Sequence, residues 1–210
     1  NFLNNYSKKN NITLIFDEMI TGLRFNCSSV QDQFKLNPSI STFGKCFGGG
    51  LPIGIIALKK EVLLKLKKNE KKIFFGGTFS GNSINSFLSN KTVKYIIKNK
   101  KNIFVNLEKK AIYLEKNLND FLVKNNFDAK CFRFASMLRI VFTKKEITNR
   151  SQRDFFENKN KKKISLFKNF MFKNNIYYSN SGIIFLAVTT SYKDLDYFID
   201  TSKKAFKKIY

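Results

Sequence analysis

The chain has 210 residues, 43% of them hydrophobic and 15% aromatic, enough for one ordinary domain or slightly more with a real core, which excludes a disordered tail or a fibrous protein. Its formal net charge is +24, but the lysines are interleaved with Asn, Ile and Phe along the whole chain and no Gly/Arg-rich or zinc-finger signature occurs, so no nucleic-acid partner is expected. With no histidine and no CxxC spacing among Cys27, Cys46 and Cys131, nucleophiles of the Ser-His-Asp and Cys-His kinds are excluded and no metal site is expected.

In chain order, the polar stretch at the front runs into an apolar strand, Ile12 to Phe16, that ends in two acids. Side chains alternate along a strand, so Asp17 and Met19 share one face and Glu18 points to the other. The segment "STFGKCFGGGLPIG" then sets a single lysine, Lys45, in a nearly charge-free run, punctuated by Gly48 to Gly50, Pro52 and Gly54 as a turn. "IGIIALKKEVLLKLKK" reads as a short strand and the start of a helix, and "KKIFFGGTFSGNS" as a strand ending in a Gly-rich loop. From Ile103, the apolar positions Leu107, Ala111, Leu114, Leu118, Phe121 and Leu122 step by three and four and predict a long amphipathic helix. "AKCFRFASMLRIVFTK" is strand-like, Ile164, Phe167 and Met171 mark a helix, two short strands flank Ser179 to Gly182, and Leu195, Phe198, Ile199, Phe206 and Ile209 share one face of a closing helix. Strands alternating with helices predict an α/β or α+β architecture, with a small C-terminal lobe from about residue 117 onward. No apolar run is long enough to span a membrane, and an odd cysteine count without disulfide spacing fits a reducing, cytoplasmic compartment.

Three segments, "DEMITGLR", "NPSISTFGKCFGGGLPIG" and "GGTFSGNS", resemble in sequence and order the DEVMTGFR, GGGLPVG and G-T-x-S-G-N-P motifs of the class III, fold-type I aminotransferases. Within that family the branch of glutamate-1-semialdehyde aminomutases is most similar; Ile20 stands where many omega-aminotransferases have glutamine and the aminomutase-like branch an apolar residue. The resemblance implies a partial fold-type I large domain with its connecting helix over residues 1–116, a small C-terminal α/β lobe over 117–210, and pyridoxal 5'-phosphate as cofactor. It makes Lys45 the lysine that forms a Schiff base with the cofactor aldehyde and shuttles a proton, Asp17 the acid on the pyridine nitrogen, and Met19 a residue against the ring face. It makes Thr78, in a loop with Gly77, the residue that binds the phosphate of the neighbouring subunit's cofactor, so the complete protein is expected to be a homodimer acting on a small amino acid, aminoaldehyde or keto compound. Arg139 reads as an exposed strand arginine rather than a substrate contact. The family's phosphate turn, ring-stacking aromatic and carboxylate-binding cation precede the acid-bearing strand, and the sequence begins just before that strand. The expectation is therefore the C-terminal part of an aminotransferase, binding cofactor poorly by itself. The alternatives are a non-catalytic remnant or basic anion-binding module that keeps the fold, and a sugar-modifying relative with the same lysine chemistry.

Overall fold

The computed structural model describes residues 2–68, 76–77 and 80–210. The chain divides into two compact units, Asn1–Phe104 and Val105–Tyr210.

In the first unit, α1 (Phe2–Lys9) leads to β1 (Ile15–Asp17), α2 (Val30–Gln33) and β2 (Ile40–Gly44). A 3₁₀ turn (Lys45–Gly48), β3 (Gly54–Leu58), α3 (Lys60–Lys68) and α4 (Ser83–Lys98) follow. The sheet order is β1-β2-β3, with β1 parallel to β2 and β3 antiparallel to it. Strand β1 starts later than the apolar run suggests, because Ile12 to Leu14 precede the ladder, and it extends through Asp17, which lies opposite Thr42. Helix α4 has no sequence forecast: its large apolar residues Ile84, Phe87, Tyr95 and Ile97 are exposed and form no single buried stripe. The strand expected in "KKIFF" and the residue Thr78 lie outside the described residues.

The second unit is built on α5 (Lys100–Lys124), a hairpin of β4 (Lys130–Phe134) and β5 (Met137–Val141), α6 (Arg150–Lys159), α7 (Lys161–Lys173), β6 (Ile183–Phe185) and α8 (Tyr192–Ile209). Its sheet is antiparallel in the order β4-β5-β6. "AKCFRFASMLRIVFTK" is thus two strands, joined by a turn in which Ala135 takes φ 50°. The two short strands expected around Ser179 to Gly182 reduce to β6; before it the chain folds on itself, with the Tyr178 hydroxyl donating to the Gly182 carbonyl at 3.0 Å. The predicted helical stripe of α5 is the core: Ala111, Leu114, Leu118 and Leu122 are buried, together with Cys131, Leu138 and Phe142 from the hairpin region, Phe167 and Met171 from α7, and Leu195, Ile199 and Phe206 from α8. Asn119 fixes α5 to β4 by accepting from the Cys131 amide at 2.8 Å and donating to the Cys131 carbonyl at 2.9 Å. Arg133 adds ion pairs to Glu108 and Glu115, two turns apart on α5.

Candidate active site

Strands β1 and β2 run parallel, and each ends in a candidate residue: Asp17 closes β1, and Lys45 follows Gly44 at the end of β2. Ligands of open α/β sheets bind beyond the carboxyl ends of such strands. The in-register partner of Asp17 is Thr42, three residues before Lys45, and the Thr42 hydroxyl donates to the Asp17 carboxylate at 3.4 Å. The same carboxylate oxygen accepts the Met19 amide at 3.0 Å, which fixes the turn leaving β1.

Met19 lies across the end of β2. A Cβ placed on Gly44 would stand 2.5 Å from Met19 Cε and 2.7 Å from the Ile53 carbonyl, so only glycine leaves the thioether that space. Lys45 itself has φ 51°, a left-handed conformation that costs an L-residue about 1–2 kcal/mol. The chain continues through a 3₁₀ turn whose exit, Gly49 (φ 60°), approaches Thr92 of α4 so closely that a Cβ there would overlap the Thr92 hydroxyl. Asn85 then ties α4 to this turn by donating to the Pro52 carbonyl at 2.6 Å.

These contacts enclose a cleft of about 820 Å³ whose walls include Met19, Lys45, Pro52, Ile53, Gly77 and Asn85. The walls mix apolar surface with the amine of Lys45 and the first turn of α4, where Asn82 caps the helix by accepting the Asn85 amide at 3.0 Å. Met19, Lys45 and Gly77 are brought together there. Asp17 is not part of the cleft lining; it stands on the exposed sheet face, joined to the lining by its bond to the Met19 amide. Beside Lys45, the Cys46 thiol donates to the Gly22 carbonyl at 3.3 Å and is pushed up by burial, an effect that the nearby Arg24 guanidinium opposes.

The opposite face of the strand end carries Glu18, which the sequence reads as a structural hydrogen-bonding residue without naming the element it holds. Glu18 is 1% exposed and accepts the Val30 amide at 3.2 Å, the Gln31 amide at 2.8 Å and the Thr21 hydroxyl. Val30 and Gln31 open α2, whose own N-cap, Ser29, makes no side-chain capping bond. Glu18 therefore caps α2 from twelve residues upstream, satisfying two of the amides that a helix start leaves unpaired. Gln31 passes the connection to β2 by accepting the Ser41 hydroxyl at 2.6 Å. The alternation of strand side chains, together with this network, is what directs Asp17 and Met19 to the other face.

In the second unit, Arg139 is not an exposed strand arginine: its side chain is 20% exposed and makes a two-pronged pair with Glu157 of α6, at 2.7 and 3.0 Å. Among the described residues no group of three His, Cys, Asp or Glu side chains is placed to hold a metal ion, and no helix is long and apolar enough to cross a membrane.

A family model described as aminotransferase class-III matches residues 1–169, a span that holds both parallel strands and the glycine-rich turn after Lys45, and the chain belongs to that family. Among curated relatives, the glutamate-1-semialdehyde 2,1-aminomutase of Caldicellulosiruptor bescii is 34% identical over 196 residues, 91% of this chain and 44% of the relative. That of Thermodesulfovibrio yellowstonii is 30% identical over 209 residues, 99% of this chain and 48% of the relative. Among solved structures, an omega-transaminase from Sphaerobacter thermophilus matches with a TM-score of 0.82 at 18% identity, and a glutamate-1-semialdehyde-aminomutase from Pseudomonas aeruginosa PAO1 in complex with PMP with 0.80 at 14%. Each match covers 99% of this chain and 47% of the other. The fold is that of the fold-type I transaminases, and the chain spans about half the length of the curated relatives it matches.

Proposed function

We propose that the chain carries the lysine and the ring-nitrogen acid of a pyridoxal-phosphate-dependent aminotransferase or aminomutase, acting in its complete form on an amino acid, aminoaldehyde or keto compound. The observation that carries this reading is that Asp17 and Lys45 stand at the carboxyl ends of two adjacent parallel strands, with Met19 lying over Gly44. The residues fit the cofactor chemically. An amine stands in a cleft with a partly apolar wall, a carboxylate stands one strand away, and a helix start with glycines at 77 and 81 offers backbone amides to an anion. Bound there, pyridoxal phosphate would supply an aldehyde that captures amines and a ring that takes up electrons. Lys45 would be its covalent anchor and, when released, the base that moves a proton at the substrate carbon. Asp17, held by Thr42 and the Met19 amide, would keep the proton on the ring nitrogen, while Met19 excludes water from one ring face. The aminomutase branch is favoured by the names of the curated relatives, and the resemblance assigns Thr78 to the cofactor phosphate of a partner subunit in a homodimer.

Titration with pyridoxal phosphate tests the reading. Wild type is expected to develop the absorbance band of a protein-bound aldehyde-amine adduct, which Lys45→Ala lacks and Asp17→Asn shifts. A band of equal size in Lys45→Ala would overturn it.

A further inference from the structure

Within the second unit a cavity of about 480 Å³ opens between β5, helices α6 and α7 and the turn that precedes β6, and it shares no lining residue with the cleft around Lys45. One stripe of α7 faces it. Lys161, Ile164, Ser165 and Lys168 follow one another by three, one and three residues, so they share a helix face beside the buried Phe167 and Met171. Strand β5 contributes Arg139 and Ile140, and α6 contributes Glu157. The lining thus joins apolar side chains to four charged ones, three of them cationic.

Those charges do not cancel. Glu157, the one acid among the described lining residues, already accepts from Arg139 at 2.7 and 3.0 Å and lies 3.9 Å from Arg153. Neither Lys161 nor Lys168 makes an ion pair among the described residues. Lys168 is instead held at the turn by donating to the Asn180 carbonyl at 3.1 Å, and Arg139, with Nε and Nη2 on Glu157, keeps Nη1 unpaired among the described residues. Tyr178 adds no negative charge, because burial pushes its phenol up and its hydroxyl donates to the Gly182 carbonyl at 3.0 Å. A concave site with two uncompensated amines and a guanidinium selects an anion, and its volume lies within the roughly 300–1,000 Å³ of small-molecule sites.

We propose that this cavity binds a small organic anion, a carboxylate or phosphate group carried on an apolar body, with the charged group taken by Lys161, Lys168 and Arg139 and the body packed on Ile140, Ile164 and Phe167. The two amines stand two helical turns apart on one face of α7, so a group seated between them meets both without displacing the pair that Arg139 makes with Glu157.

The test is calorimetric titration of the 210-residue chain at low salt with benzoate, with phenyl phosphate and with benzyl alcohol as the uncharged counterpart. At least one anion is expected to bind at one site per chain, to weaken as salt is added, and to exceed benzyl alcohol in affinity by at least about tenfold. Tighter binding of phenyl phosphate assigns the site to phosphate esters, and tighter binding of benzoate assigns it to carboxylates. Lys161→Met/Lys168→Met keeps both apolar stems while removing both charges, and is expected to weaken the anion by at least about tenfold at an unchanged urea midpoint. Lys162→Met, on the same helix but outside the lining, is expected to leave the affinity within about twofold. No binding of either anion up to about 10 mM, equal affinity for benzyl alcohol, or an equal loss in Lys162→Met would each overturn the proposal. So would binding that Lys45→Ala abolishes, since that result puts the anion in the cleft of the first unit.

Discussion

Glu18→Gln is isosteric and removes one charge from a site where every oxygen is in use. In the wild type one carboxylate oxygen accepts the Gln31 amide at 2.8 Å and the other accepts the Val30 amide at 3.2 Å and the Thr21 hydroxyl. A carboxamide can keep one of these oxygens; its NH₂ must then face a backbone N–H, donor against donor. Hydrogen bonds to a charged group contribute about 1.5–3 kcal/mol each, and the loss of one or two is offset in part because a buried charge no longer has to be desolvated. The net cost is about 2 kcal/mol. With only four residues, α2 has no stability of its own to absorb it. The direct assay is amide hydrogen exchange at Val30 and Gln31, where protection is expected to fall by roughly 30-fold, accompanied by a lower urea midpoint for the first unit. Glu18→Leu leaves all three donors without an acceptor and is expected to cost about 3–5 kcal/mol. Exchange at both amides within about twofold of wild type in Glu18→Gln would refute the account of Glu18 as the cap of α2.

Leu118→Ala, at a side chain with 0% exposure in α5, is expected to destabilise the second unit by about 2–5 kcal/mol in urea unfolding. Ser191→Ala breaks the capping box of α8, in which the Ser191 hydroxyl accepts the Asp194 amide and the Asp194 carboxylate accepts the Ser191 amide, and is expected to cost about 1 kcal/mol by the same measurement. The Cys131 thiol is pushed up to about 12 from its ordinary 9.0, first by burial and then by Glu115, so its contribution to stability is complete below pH 9 and is lost as pH rises toward 12. The stability of wild type relative to Cys131→Val is therefore expected to decline over that range, and a difference that stays level contradicts the buried-thiol assignment. Lys45→Gly relieves the left-handed backbone and is expected to be about 1 kcal/mol more stable than Lys45→Ala in thermal unfolding.

Legibility in the sequence followed the range of the interactions. The period-two rule separated Asp17 and Met19 from Glu18, and the three-four spacing from Leu107 to Leu122 marked the buried face of α5, because each signal lies within a few residues of chain. The resemblance of three short motifs pointed to the class-III family, to which the chain belongs. Partners far apart in sequence left no such trace. Nothing near Glu18 marks α2 as the element it caps, and nothing near Arg139 marks Glu157, eighteen residues on, as the carboxylate that takes its guanidinium out of solvent. The β4–β5 turn went unseen because Ala135 adopts its positive φ without the Asn-Gly pair that usually announces such a turn. Helix α4 went unseen because its apolar residues point to several sides.

The attachment of the cofactor to Lys45 is tested most directly by incubating the 210-residue chain with one equivalent of pyridoxal phosphate, reducing with borohydride and mapping the pyridoxyl mass on its peptides. Modification concentrated on Lys45, and removed from the map by Lys45→Ala, is the predicted result. Label dispersed over the surface lysines, with Lys45 unmodified, would contradict it.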